Sequence, residues 1–442
     1  MKKLHGWKGR HLSFGARLVL IKSVLSSKPV HLFSLLKAPK GTINRLEQIQ
    51  RQFLWQGTGV DLKRPLVRWE VCKASRSNGG LGIIDLASFN SALLSKWAWS
   101  FSAERAGWWK SLISIKYPNS LSSWLPGHIH GGYSKSVWSN ICRDFDKFWK
   151  FACLDPGGGS DVSFWHDYWC PGNTLASRFP RVAAAASHPA ARISELYRCS
   201  GEIVEWSIPL NFSLRGGAER ERNDLLNFLN SSAASRVTNG PGRLVWLPNP
   251  DSGFSVSSMY RALADDLFPG VANYPVVSIW KAIIPTKVCF FLWTLSHSKL
   301  RTIDKLKSWG LNLANRCDLC KCQEETADHL FVDCTFAREV WFGISRACPL
   351  VEPPSGDIVT VLHSWPSRVP DNVNSWFSFA ALHSVCWHVW RERNQRIFND
   401  CSSPARVVSR NACKAVIEWI SAHSKVDRNI CSQWLNERIQ WI

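Results

Sequence analysis

The sequence predicts a mainly α protein: several Trp-rich helical subdomains with short β elements, and one helical domain stapled by a cluster of Cys and His. Three observations carry this. Apolar residues recur at three- and four-residue spacing over most of the 442 residues. Trp occurs 25 times against 2 Met, which favours cores built on large rings whose indole N–H groups seek acceptors. Cys317, Cys320, His329 and Cys334 stand as C-x2-C-x8-H-x4-C, a donor set that can close a tetrahedral shell around a structural Zn²⁺ cofactor.

In chain order, residues 1–58 read as a basic helical segment. Leu18, Ile21 and Leu25 share a helix face. Beyond Lys28-Pro29, a second helix from Thr42 carries the stripe Ile43, Leu46, Ile49 and Phe53, and Gly57-Thr58-Gly59 ends it. Residues 59–175 form a Trp-rich helical connector. Leu66–Cys72 looks irregular or strand-like, the glycines at 79, 80 and 82 mark a tight turn, and a helix starts near Leu86. Alternating aromatics in VSFWHDYW suggest a short strand. His166 and Asp167 within it have no paired nucleophile or second carboxylate, so no catalysis is expected of them. Residues 176–250 are a linker or small subdomain, with a helix over Glu219–Leu229 and an extended end at Trp246-Leu247-Pro248.

The pattern sharpens over 251–348. A helix follows Phe254, and Val288–Leu295 is apolar all round and must be buried. Thr302 is placed to cap a helix ended by Gly310. In the Cys/His cluster, Cys322 is a poorer alternative ligand, two residues past Cys320. Positions five apart on an unbroken α-helix diverge by about 140°. His329 and Cys334 therefore require a turn or break near Val332–Asp333. Residues 349–372, with Pro and Ser, read as a linker, and 373–442 as a C-terminal helical segment with helices over 375–399 and 405–421.

The formal net charge is +20, from 54 Lys and Arg against 34 Asp and Glu. In residues 1–68 there are 14 Lys and Arg against two acids, Glu47 and Asp61, a surplus of twelve. So lopsided a segment points to a polyanionic partner, RNA or DNA. Lys8, Arg10, Arg17, Lys22, Arg45 and Arg51 are the candidate phosphate contacts. The 15 Cys follow no disulfide framework, no secretory signal is visible, and no apolar run approaches the ~20 residues of a membrane span. A nuclear or cytoplasmic setting with reduced thiols is expected.

Several stretches together resemble the C-terminal part of plant LINE-type (non-LTR) retrotransposon reverse transcriptases: LSFGARLVLIKSVLSSKPV, FLWQG, GGLGI with NSALLSKWAW, FWHDYW, FSVSSMY, SIWKAIIPTKVCFFLW, CDLC…ETADHLFVDC and WRERNQRIF, in this order. The resemblance implies a reverse transcriptase zinc-binding domain over Phe254–Trp341 with Cys317, Cys320, His329 and Cys334 as its ligands. It likens residues 1–58 to the end of a polymerase thumb. A polymerase palm needs an aromatic-x-Asp-Asp hairpin to hold two metal ions. Asp265-Asp266 lacks the aromatic and follows a helical pattern. No endonuclease or ribonuclease H acids are visible either, so no enzyme activity and no catalytic residues are expected. The implied function is a non-catalytic remnant of a retrotransposon polyprotein that binds RNA or DNA, beside a separate reverse transcriptase as a further partner. The alternative is a zinc-stabilised protein-interaction or scaffold module without nucleic-acid binding.

Overall fold

Val288–Leu295 offers no polar face to water, and the structure, a computed structural model, buries every residue of it within the helix Thr286–Ser296. The structure describes residues 12–56, 65–103, 107–118, 122, 124–125, 136–200, 203–212, 215–233, 240–268, 274–275, 279–281, 283–365, 372–422 and 428–438. Helices dominate. The strands among the described residues form two antiparallel pairs, Ala152–Asp155 with Arg243–Trp246 and Tyr197–Ser200 with Ile203–Trp206. No helix among these residues is long and apolar enough to cross a membrane. The chain divides into two units that interleave in sequence, one made of Met1–Ser26, Leu46–Ile84 and Phe268–Ile442, the other of Ser27–Arg45 and Asp85–Leu267.

In the first unit, Thr286–Ser296 packs against Phe14–Leu20, Ile358–Ser364 and Val373–Asn399, and the last of these also carries Thr335–Ala347, Ala405–Ser421 and Arg428–Arg438. Phe14 stacks on Phe290 at 5.3 Å, and Trp55 leans on both rings. Phe14–Leu20 can approach this closely because it carries Gly15, where a Cβ would stand 2.6 Å from the Lys287 backbone nitrogen. The turn around Gly79 is structural, as expected. Its φ of 81° suits glycine, and its carbonyl accepts from Trp293 Nε1 at 2.9 Å and bonds His297 Nε2 at 2.7 Å. Of the stretch before it, expected to be irregular or strand-like, residues 65–68 are irregular and Trp69–Lys73 is instead a short helix, which buries Trp69 and Cys72 one turn apart. The linker expected over 349–372 contains the helix Ile358–Ser364, whose Ile358, Val361 and Leu362 join the core. The end placed at Gly57-Thr58-Gly59 lies outside the described residues.

The second unit is built on Leu86–Ala103, against which Val256–Leu267, Phe145–Trp149 and Val137–Cys142 pack. Asn90 fixes the preceding chain: its Nδ2 donates to the carbonyls of Phe33 and Leu36, and its Oδ1 accepts from Ala38 N–H. Trp149, Trp165, Trp169 and Trp246 are fully buried. Trp169 Nε1 donates to Phe164 O at 2.9 Å. Trp149 and Trp246 find ring partners rather than acceptors, stacking on Tyr168 and Phe148. The VSFWHDYW stretch forms no strand apart from an isolated bridge at Ser163. It is a loop held from inside by Asp167, whose carboxylate accepts from Ser163 N–H at 2.7 Å and from the Ser122 hydroxyl. Burial raises the Asp167 pKa to about 6. Asp265 and Asp266 sit exposed in the last turn of Val256–Leu267, the helix end expected of them.

Candidate metal centre

Two local structures bring the Cys/His cluster together. The first is the Cys317–Cys320 knuckle. Lys321 adopts φ 57°, which turns the chain back so that its N–H reaches Cys317 O at 2.7 Å while Cys317 N–H bonds Gln323 O at 2.8 Å. Cys322 N–H points to Cys320 Sγ at 3.5 Å, but the Cys322 thiol turns away to the Cys320 carbonyl at 3.0 Å and is exposed. The second is a π-helical turn, His329–Asp333, closed by Cys334 N–H on His329 O at 2.7 Å. The wider i to i+5 turn brings residues five apart to one side, which an α-helix cannot do. Cys334 then leaves the helix at ψ 129° and serves as N-cap of Thr335–Ala347. The break required by the spacing is thus a π turn followed by an extended residue.

One ligand atom from each of Cys317, Cys320, His329 and Cys334 lies within 4.8 Å of all the others. Cys317 Sγ and Cys334 Sγ are 3.9 Å apart, and Cys320 Sγ is 3.3 Å from His329 Nε2. Tetrahedral zinc with bonds of about 2.3 Å to sulfur would set sulfurs about 3.8 Å apart. The four donors fit such an ion and leave it no open position. Without a cation, two neighbouring thiols cannot both ionise. The hydrogen bond from Cys334 draws the Cys317 pKa down to about 5 and pushes that of Cys334 up. His329 Nδ1, the ring nitrogen turned away from Cys320, is buried with no partner among the described residues.

Below the cluster lies a buried polar network that the sequence did not announce. Glu325 is fully buried and receives Arg393 through both carboxylate oxygens, Nη2 at 2.7 Å and Nε at 3.0 Å. The same carboxylate accepts from Ile303 N–H at 2.9 Å. It therefore caps Ile303–Ser308, where Thr302 was expected to do so; the Thr302 hydroxyl is bonded to Asp304 instead. Arg396 donates to the knuckle carbonyls of Asp318 and Leu319, at 3.3 and 2.9 Å, and its Nε bonds Glu392. The basic end of WRERNQRIF thus ties Val373–Asn399 to the metal cluster. The i,i+4 spacing of Glu392 and Arg396 was a visible hint; nothing in the sequence singled out Glu325.

The proposed phosphate contacts fare differently. Lys8 and Arg10 lie outside the described residues. Arg17 is a correction: it is buried, Nη1 donates to Leu54 O at 3.2 Å, and the guanidinium rests against the Phe14 ring. Lys22 is half-buried, and burial together with the nearby Arg76 lowers its pKa to about 8. Arg45 and Arg51 are exposed on the helix Lys40–Gln56.

Residues 254–341 match the family model described as zinc-binding in reverse transcriptase. This segment contains all four clustered ligands. The chain is also 27% identical over 470 aligned positions to an Arabidopsis thaliana protein named provisionally as a ribonuclease H protein, across 100% of this chain and 71% of that one. A second Arabidopsis thaliana relative, an uncharacterized mitochondrial protein, is 26% identical over 143 residues, covering 32% of this chain and 91% of its own length. Together these matches support a retrotransposon-derived protein that carries a reverse transcriptase zinc-binding domain.

Proposed function

We propose that this chain is a non-catalytic part of a LINE-type retrotransposon polyprotein that holds RNA or DNA through its phosphates, on a scaffold stapled by zinc. The reading rests chiefly on the Cys317, Cys320, His329 and Cys334 cluster inside the segment that matches reverse transcriptase zinc-binding domains. A bound zinc would be structural. It would neutralise the thiolates and couple folding of the surrounding segment to metal. The polyanionic ligand is supported by the charge of +20. The non-catalytic reading is supported by Asp265-Asp266, which ends a helix rather than turning a strand hairpin. The helices over residues 405–421 and 428–438 also support the non-catalytic reading over the ribonuclease H activity in the relative's name.

One observation favours the scaffold reading instead: Arg17, Arg393 and Arg396 use their charge inside the protein. A filter-binding titration of the zinc-loaded chain with RNA and with DNA, from low to high salt, separates the two. Affinity that falls linearly on a log–log plot is expected. No binding of either nucleic acid at low salt, in protein that retains zinc, would overturn nucleic-acid binding in favour of the scaffold.

A further inference from the structure

Thr286–Ser296, Val373–Asn399 and Ala405–Ser421 enclose an open cavity of about 680 Å³ in the first unit. Its walls include Lys287, Trp387, His388, Arg391, Lys414 and Trp419. Trp387, Arg391 and Gln395 follow one another at four-residue steps and so share a face of their helix. Arg393 and Arg396, on the same helix, point to Glu325 and the knuckle. The helix thus divides its arginines between a structural side and the cavity.

Among the cavity's cations, Lys287 Nζ lies over the Trp387 ring, 5.9 Å from its centroid. Lys287, Arg391 and Lys414 make no ion pair among the described residues. Of the two acids in the wall, Glu392 is taken by Arg396 and by Ser403 N–H at 2.8 Å. Glu418 remains, exposed and without an ion pair among the described residues, so the wall keeps a surplus of positive charge. His388 contributes none near neutral pH. Burial, with Arg391 and Lys287 nearby, lowers its pKa, and its Nδ1 is bonded to Ser384 O at 2.8 Å.

Trp387 also meets the Phe291 ring edge-on at 5.5 Å. Trp387 and Trp419 are only half-buried, and Trp419 has no ring partner among the described residues. Lys287 and Trp387 also border a second, mostly apolar recess of about 280 Å³, floored by Phe290 and Phe291 and rimmed by Lys299 and Arg301. Indole surface beside unpaired cations matches a chain that alternates flat rings with phosphates. A duplex hides its ring faces, and an acidic peptide would leave the indoles unused.

We propose that this groove is a single-stranded nucleic-acid site, with unpaired bases stacked on Trp387 and Trp419 and phosphates held by Lys287, Arg391 and Lys414. The ligand class rests on the function proposed above; the location does not, since it lies on none of the residues first expected to contact phosphate. Fluorescence anisotropy of the full zinc-loaded chain with a labelled mixed-sequence single-stranded 12-mer, and with its duplex, tests it at two salt concentrations. Single strand should bind more tightly than duplex. Trp419→Ala should weaken binding roughly tenfold or more. The triple variant Lys287→Ala, Arg391→Ala, Lys414→Ala should reduce the salt slope by about 2. Glu418→Lys, a change at an exposed position, should tighten binding. If the parent binds neither form, this proposal and the nucleic-acid reading both fail. If the parent binds but all three variants match it with zinc content and circular dichroism intact, the groove is wrong and the broader reading stands. Equal affinity for duplex overturns the stacking.

Discussion

Arg393→Ala should be among the most damaging single changes in the first unit. Glu325 is 0% exposed, and its carboxylate is satisfied by two bonds from Arg393 and one from Ile303 N–H. Truncating Arg393 removes both charge-assisted bonds, at roughly 1.5–3 kcal/mol each. It also strands a buried carboxylate with one neutral donor. Breaking one side of a buried pair costs about 3–5 kcal/mol, which agrees with the bond count. The assay is urea unfolding of zinc-loaded protein, read by Trp fluorescence and by zinc release to a colorimetric chelator, because the two units need not unfold together. The double variant Glu325→Gln, Arg393→Met removes both charges and should recover much of the loss. A loss below about 1 kcal/mol for Arg393→Ala, or a double variant as unstable as the single, would refute the reasoning.

Other outcomes follow from the same geometry. Cys320→Ser or His329→Ala should abolish stoichiometric zinc and raise hydrogen exchange over residues 300–345, whereas Cys322→Ser should leave zinc content unchanged; metal analysis with exchange mass spectrometry checks both. Gly15→Ala would press a methyl group into the Lys287 backbone and should cost about 1–3 kcal/mol, seen as a lower urea midpoint. Lys281 is buried, and burial lowers its pKa to about 7. Below pH 7 both folded and unfolded chains hold its proton, and the full cost of the buried charge applies. Between about pH 7 and its unfolded value near 10.5, the unfolded chain binds more protons, so this group makes stability rise with pH. Lys281→Met should therefore flatten the increase in urea midpoint between pH 6.5 and 9; a parent-like increase in the variant would contradict it.

Much of this was legible in the sequence, and the failures have physical causes. Val373–Asn399 and Ala405–Ser421 could be read because their apolar stripes keep a helical period over many turns, and Asp400 at φ 50° ends the first of them. The ligand set could be read because donor chemistry is written in residue type and spacing. The π turn that makes the spacing work could not, since its energy comes from the packing of Leu330, Phe331 and Val332 in the core. Aromatics in VSFWHDYW imitate a strand, yet Phe164, Trp165 and Trp169 are all buried, which strict alternation would not allow. Ile358, Val361 and Leu362 carried a helical signal that neighbouring Pro and Ser obscured. A charge count cannot tell Arg17, turned inward to Leu54, from Arg51, turned to solvent.

The interleaving of the two units sets an order of events at the ribosome. About 180 residues, Asp85–Leu267, separate the early pieces of the first unit from its remainder. At roughly 5–20 residues per second, Phe14 and Trp55 wait roughly 12–55 seconds for Phe290. Most of the second unit is complete by then and can fold while the first still lacks its central helix. Cys334 emerges later still, and Arg393 after it. Metal capture is therefore a late step of synthesis, and a chain halted shortly before Cys334 would present the apolar Val288–Leu295 surface to chaperones without its staple.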